Sequence, residues 1–480
     1  MTAELGSLDR LADRAATLAG AWAARARAST TVGRERAVLR MLGVAGLDAV
    51  GRPLAWAAVD RYLSGGPDRL GAGILLPFAM ALAEYDVDPQ RLALDVASGA
   101  VDLGLEAGLL REPGRRAIAE EEARRRIAAA IERIDANRTA RTELLDVLGD
   151  PGRPWIGAAV GSPELAGAVA EARAAVEAGA DLLRVEVPIG RELSDRLILA
   201  GRSAPVWQPR AEAMARLDAL EEAPTGSQRA LASLRRELDE AAAQRRGYVR
   251  LGIVPPALGV PESAVVAGFE RIDIARSDPL AEIIDGHVAP DRALADHAFA
   301  QAILARAGVV VEIGAGPLVV GPDIARGVPS SPASRAGRAL ALQVLAVAIA
   351  RGNGLTDDQL VVGGLTPWLI GEPDAAALAL GEGALRRALL PGIGLVLDEP
   401  LGDDPESGER WAALAAAIQP AQPDGTAAVV RHRPTGATLR TTRLAARVAV
   451  EIAATTRPIE LAGAALDHAR ATAASALRTL

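Results

Sequence analysis

Three carboxylates and one imidazole stand where short apolar runs of this chain end, places from which acid/base or metal chemistry could be done. Glu312 closes the run Val309-Val310-Val311. Asp398 closes Ile393-Gly394-Leu395-Val396-Leu397 and begins Asp398-Glu399-Pro400. His432 follows the run 427–431, between Arg431 and Arg433, and Glu192 lies just beyond the run 182–187. If these runs are strands of one closed barrel, the four side chains gather around its mouth. Carboxylates there can bind Mg²⁺ or serve as general acid and base. The plainer reading is that acidic residues form turns at strand ends. Gly314-Ala315-Gly316-Pro317 could cradle a phosphate with backbone N–H groups, or simply make a tight turn. The four histidines, His287, His297, His432 and His468, neither pair at i, i+4 nor form H-E-x-x-H, so no histidine-ligated metal site such as a zinc helix is expected. His297, within Asp296-His297-Ala298-Phe299, reads as a helix-face residue.

Two absences exclude more chemistry than the composition does. The 480 residues contain no cysteine, which removes disulfides, thiolate catalysis, Fe–S clusters and Cys-ligated zinc. They also contain no lysine; all 53 basic residues are arginine. The chain therefore cannot form a pyridoxal phosphate (PLP) Schiff base by itself, nor carry a Walker A loop. Its net charge of −8 disfavours nucleic acid as a main partner. Met1 to Arg10 is polar and acidic, unlike a signal peptide. The longest mainly apolar run, Ala339 to Ala350, falls short of the roughly 20 residues that span a bilayer. A cytoplasmic protein without a membrane segment is expected.

The elements that must position these residues follow from hydrophobic spacing. Residues 1–150 read as a helical region: Leu8, Leu11, Ala15, Leu18 and Trp22 recur at helical spacing, and a long charged helix covers about Pro113 to Val147. Asp88-Pro89 reads as a helix start with proline in the first turn. The acidic run Glu120–Glu122 and the basic run Arg124–Arg126 read as a solvated face of the long helix. Gly149-Asp150-Pro151-Gly152 then breaks the chain. Beyond it, apolar runs at 155–160, 182–187, 248–254, 271–276, 308–314, 360–364, 393–398 and 427–431 alternate with helix-length segments at 162–178, 261–269, 290–307, 335–352, 373–390 and 407–418. Runs apolar throughout are strands covered on both faces. Eight of them in β-α alternation predict an α/β fold, a (β/α)₈ TIM barrel over 151–456. A helical hairpin at 210–246 interrupts it, and a C-terminal helix covers 457–480. An open doubly wound sheet would need a glycine fingerprint after its first strand, and none is present.

Thr30-Thr31-Val32-Gly33-Arg34-Glu35-Arg36-Ala37-Val38-Leu39-Arg40-Met41-Leu42-Gly43 resembles the N-terminal region of the large (alpha) subunit of lysine 5,6-aminomutase. The similarity continues colinearly through Asn137-Arg138, Glu177-Ala178-Gly179-Ala180-Asp181, Tyr248-Val249-Arg250-Leu251, Pro261-Glu262, Glu270-Arg271-Ile272-Asp273 and Ala307-Gly308-Val309-Val310. It covers roughly residues 15 to 370. The resemblance implies a TIM-barrel subunit that works with a smaller subunit binding adenosylcobalamin and supplying the lysine that holds PLP. It implies a radical 1,2-migration of an amino group, an isomerase reaction, in a hetero-oligomer. A lysine-free chain fits that division of labour.

The departures from the family pattern fall at its cofactor contacts. The arginine and serine that the family places near the PLP phosphate correspond to Val187 and Glu192. Gly190 is retained, and Arg191 beside it could reach back toward an anion. The serine facing the pyridine nitrogen corresponds to Pro256, which has neither hydroxyl nor N–H. A tyrosine and an arginine fall near Ala281 and Gly286, and an acidic residue expected near substrate falls at Gly316. Two readings follow: a divergent aminomutase subunit, or a catalytically inactive paralogue acting as scaffold or regulator of such a complex. A third is new acid/base chemistry at Glu192, Glu312, Asp398 or His432.

Overall fold

The computed structural model describes residues 2–28, 30–48, 52–66, 68–162, 165–186, 228–255, 259–284, 288–314, 331–363, 374–398, 426–431, 436–455 and 463–479. Eight helices come first: α1 (Thr2–Ala28), α2 (Val32–Met41), α3 (Leu54–Leu63), α4 (Asp68–Ala72), α5 (Leu75–Tyr85), α6 (Pro89–Ser98), α7 (Leu103–Leu109) and α8 (Pro113–Leu148). Local chemistry sets their ends. Asp88 accepts hydrogen bonds from the backbone N–H groups of Gln90 and Arg91, Pro89 starts α6, and Gly99 ends it at φ +83°. Leu39, Leu42, Leu54, Val59, Tyr62, Phe78, Leu82, Leu92 and Leu103 form a core of their own between α2, α3, α5, α6 and α7.

Then eight parallel strands close into a barrel in sequence order: β1 (Trp155–Val160), β2 (Leu182–Glu186), β3 (Arg250–Val254), β4 (Ile274–Arg276), β5 (Val310–Ile313), β6 (Leu360–Gly363), β7 (Gly394–Asp398) and β8 (Thr426–Arg431). Closure is explicit in the register, with Gly157 opposite both Leu182 and Val430. All eight expected strands are present; three start two or three residues later than the apolar runs do, because Tyr248, Arg271 and Gly308 belong to the turns that enter them. The outer helices are α9 (Leu165–Glu177), α10 (Gln228–Arg245), α11 (Val260–Phe269), α12 (Pro279–Ile284), α13 (Pro290–Ala307), α14 (Pro332–Gly352), α15 (Ala375–Leu389), α16 (Gly436–Thr455) and α17 (Gly463–Thr479). α10 falls within the stretch 210–246 where a helical hairpin is expected; the first part of that stretch, residues 210–227, and the segment 407–418 lie outside the described residues. α16 was not anticipated. Its threonine pair Thr441-Thr442 and three arginines, Arg440, Arg443 and Arg447, mask an apolar stripe that includes the buried Leu439 and Ala446.

α1 and α17 pack together over α14, so the two ends of the chain meet on one side of the barrel. The close approach of α17 requires glycine on its neighbours. A Cβ on Gly337 would lie 2.7 Å from the Thr472 carbonyl oxygen, and one on Gly381 would lie 2.6 Å from that of Ala465. α14 is the one described helix long and apolar enough to cross a membrane, and 67% of its most apolar 18-residue window is buried inside the protein.

Candidate functional site at the barrel mouth

The strands set which side chains enter the lumen. Trp155, Leu182, Ile274, Val361, Val396, Ala428 and Val430 fill its lower part as one apolar cluster. Two residues further along their strands, the lumen turns ionic. Arg184 follows Leu182 on β2, Arg276 follows Ile274 on β4, and Glu312 follows Val310 on β5; Arg276 and Glu312 are register partners. Glu312 is buried and pairs with Arg276 at 2.6 Å and with Arg184 at 3.6 Å. Two guanidiniums therefore bind a single carboxylate inside the barrel. The carboxylate is held in place from two sides, an arrangement suited to rigidity and charge placement.

The segment after β4 carries a second polar cluster. The backbone N–H of Ser277 donates to the Glu312 carbonyl, 3.0 Å away. Its hydroxyl lies 2.8 Å from His297 Nδ1, and Gln301 Nε2 donates to its carbonyl at 3.0 Å. His297 Nε2 forms an ion pair with Glu282 Oε1 at 3.1 Å, off the line of a hydrogen bond; Glu282 Oε2 has no hydrogen-bond partner among the described residues. Asp278 caps α12 through the N–H groups of Leu280 and Ala281. Asp296, next to His297, accepts from the Thr31 hydroxyl that also caps α2. Burial pushes the carboxyl of Glu282 up, partly offset by His297. Burial likewise raises Asp296, partly offset by the Thr31 hydroxyl and Arg292. Burial works against a charged His297, but Glu282, Asp278 and Asp296 outweigh it and hold the imidazole above its ordinary value.

A third chain of contacts reaches the mouth from outside. Gln343 on α14 donates to the carbonyls of Gly314 and Gly363, at the ends of β5 and β6. Arg386 on α15 holds the Gln343 side-chain oxygen at 2.8 Å and pairs with Glu382 at 3.1 Å. His468 on α17 completes it, 3.3 Å from Glu382.

Of the expected site residues, Glu312 lies in the lumen and Gly314 ends β5. Gly314 has φ +61° and a Cβ there would meet Gln343 Cγ at 2.7 Å, so tight turning and close packing account for this glycine. Asp398 ends β7 opposite Val430; its side chain is outside the described residues. Gly190, Arg191, Glu192 and His432 also lie outside them, as do Val187, Pro256, Gly286 and Gly316. No group of three or more His, Asp or Glu able to hold a metal occurs among the described residues. Arg184, Arg276 and the surroundings of His297 escaped the sequence reading. A charged residue on the lumenal parity of an apolar strand was the available signal for the two arginines. For His297, no local pattern shows that Ser277 and Glu282 fold onto it.

The described residues alone do not make a PLP site. The chain lacks the lysine, and Ala281, near which the resemblance leads one to expect a tyrosine, is buried on α12. The residues that carry the resemblance work elsewhere, in joints between layers. Asp273 binds Arg141 of α8 and Arg235 of α10, each at 3.0 Å, the Tyr248 hydroxyl at 2.9 Å and the Leu251 N–H at 2.8 Å. Asn137 donates to the carbonyls of Gly268 and Phe269. Arg40 and Trp56 both bind Glu262 of α11. Asp181 binds Arg245 at 2.7 Å.

The profile of a family described as the D-lysine 5,6-aminomutase TIM-barrel domain of alpha subunit matches residues 3–395. The match ends within β7. The chain is 26% identical over 366 residues to the lysine 5,6-aminomutase alpha subunit of Fusobacterium nucleatum, covering 76% of this chain and 65% of that protein. It is 27% identical over 286 residues to the protein of the same name from Acetoanaerobium sticklandii, covering 59% and 51%. The chain thus spans between half and two-thirds of the length of these relatives. Among solved structures, a dihydropteroate synthase from Anaplasma phagocytophilum with bound 6-hydroxymethylpterin-monophosphate is 14% identical, at a TM-score of 0.37 over 62% of this chain and 97% of that one. A likeness that low carries no argument here.

Proposed function

Since the chain belongs to the family of the D-lysine 5,6-aminomutase alpha-subunit TIM-barrel domain, we propose that it is the barrel subunit of an aminomutase-type assembly. The observation that supports this most is the family match across 3–395 in a chain without a single lysine. Such a chain can shape and shield a reaction but must borrow the amine that anchors PLP. In this reading a smaller partner brings that lysine and adenosylcobalamin, and the cofactors when bound supply the radical chemistry that moves an amino group of a lysine-type substrate. This chain's contribution is rigid: the Arg184–Glu312–Arg276 set fixes charge in the lumen, and the helices around it exclude water. The experiment mixes the full chain with its candidate small subunit, PLP and adenosylcobalamin. Amino-group migration on lysine and ornithine is followed, and borohydride fixes PLP to its lysine. Turnover, with label on the partner alone, is the expected result. A second reading, a non-catalytic scaffold in a cytoplasmic aminomutase-like complex, draws on Ala281 and on the structural use of the family motifs. A stable complex with neither label nor turnover would favour it.

A further inference from the structure

α12 is only six residues long, yet it sits beside the mouth and is tied down by a residue from another helix. The segment 277–282 leaves β4 and folds so that its first residue and its sixth meet the same imidazole. Ser277 meets one ring nitrogen and Glu282 the other. Ser277, Asp278, Asp296 and His297 are all at least nine-tenths buried. A buried ring bridging a hydroxyl and a carboxylate has a strong preference for one protonation state, because burial leaves no water to substitute for a lost partner.

We propose that His297 is the positioning residue of the segment after β4: bridging Ser277 and Glu282, it fixes α12 at the barrel mouth, and gain or loss of its proton tightens or frees that helix. With both nitrogens protonated, the ring donates to the Ser277 oxygen and faces an ionised Glu282. On losing a proton at Nε2 it would set a lone pair against that carboxylate. On losing the one at Nδ1 it keeps Nε2–H but gives up the charge that balances Glu282. Among the described residues, the charged groups around the ring are few. Its own helix α13 supplies Asp296, with Arg292 behind it; the strand exit supplies Asp278; α12 supplies Glu282. α2 contributes the neutral Thr31, through Asp296, and α14, packed on α12, carries Arg335 and Arg338.

The sign follows from these partners. A histidine held above its ordinary value stabilises the fold below about pH 6.5, and that contribution is lost as pH rises through its folded-state value. Glu282, raised by burial, sets the lower edge, because its protonation ends the ion pair from the acid side. The latch is therefore closed within a band of pH and looser on both sides. The latch itself stands on the geometry. Its bearing on the mouth, where the family resemblance puts a tyrosine near Ala281, rests on the aminomutase reading.

The test uses the full-length chain with labelled histidine rings, and four rings give few signals to assign. NMR titration is paired with hydrogen exchange of residues 277–284, corrected for the pH dependence of intrinsic exchange. The His297 ring is expected to stay charged at pH values where an ordinary imidazole is neutral. Local protection should then fall by roughly tenfold for each unit by which the ring is raised. E282Q is expected to return the ring toward its ordinary value and flatten the pH dependence of protection, and S277A to weaken protection without abolishing it. H297Q should expose 277–284 while β1 and β2 remain protected; should it fail to fold, E282Q and S277A carry the test. A ring that titrates at or below its ordinary value, unchanged in E282Q, overturns the proposal. So does protection of 277–284 that ignores pH. None of these readouts needs a cofactor or a partner, so an inactive complex would sink the aminomutase reading and leave the latch standing.

Discussion

Replacing Asp273 with asparagine is expected to be among the most damaging isosteric changes in this protein. The carboxylate holds two guanidiniums, Arg141 at 3.0 Å and Arg235 at 3.0 Å, and accepts from the Tyr248 hydroxyl and the Leu251 N–H. All four partners are at least nine-tenths buried, so water cannot stand in. Removing one partner of a buried ion pair costs about 3–5 kcal/mol, chiefly because the other charge is left uncompensated. Asparagine keeps an acceptor oxygen, so D273N is expected at about that range, and D273A beyond it, with each orphaned donor adding about 1–3 kcal/mol less than additively. Urea unfolding followed by circular dichroism would read the loss as a lower midpoint at unchanged slope. The joint replacement R141M/R235M/D273L is expected to recover much of it, since an apolar set of similar volume often matches a buried ion network. A D273N variant within about 1 kcal/mol of the parent would refute the argument that charge at this joint holds α8 and α10 to the barrel.

Other expected outcomes follow from the same contacts. E312Q leaves Arg184 and Arg276 facing a neutral amide in the lumen, so it should lower stability by about 3–5 kcal/mol; a catalytic base would instead show lost turnover at unchanged unfolding midpoint. Tyr248 is held above the ordinary phenol range by burial and by Asp273. The folded chain keeps a proton that the unfolded chain releases, so stability should fall as pH rises past about 10. Y248F should remove that alkaline slope and cost about 1.5–3 kcal/mol for the lost bond to Asp273, both visible in pH-dependent denaturation. G381V should drive a side chain into the Ala465 carbonyl and cost about 1–3 kcal/mol or more. Limited proteolysis would then cut first at the margins of α17; cleavage unchanged from the parent would mean that this close approach does not hold the helix.

The sequence by itself determined the alternation and therefore the barrel. Runs such as Val309-Val310-Val311 are apolar on both faces, and only a parallel sheet jacketed by helices buries both. It also determined a chemical limit, since a chain with no ε-amine cannot form the lysine Schiff base that links PLP covalently, whatever its shape. Residue spacing placed α13 at 290–307 to the residue, because Pro290 and Gly308 mark its ends locally. What only the tertiary structure decided is which polar residues meet. Glu312 looked like a mouth carboxylate, and its partners Arg184 and Arg276 lie 128 and 36 residues away; strand register, not spacing, brings them together. His297 looked like a helix-face residue because α13 is amphipathic, and it became an interior group only when the segment after β4 folded across it. The family motifs were legible as motifs, but their work as joints was not. A hydrogen bond between layers links positions more than a hundred residues apart, as Asn137 and Gly268 are, and no local pattern encodes so distant a partner.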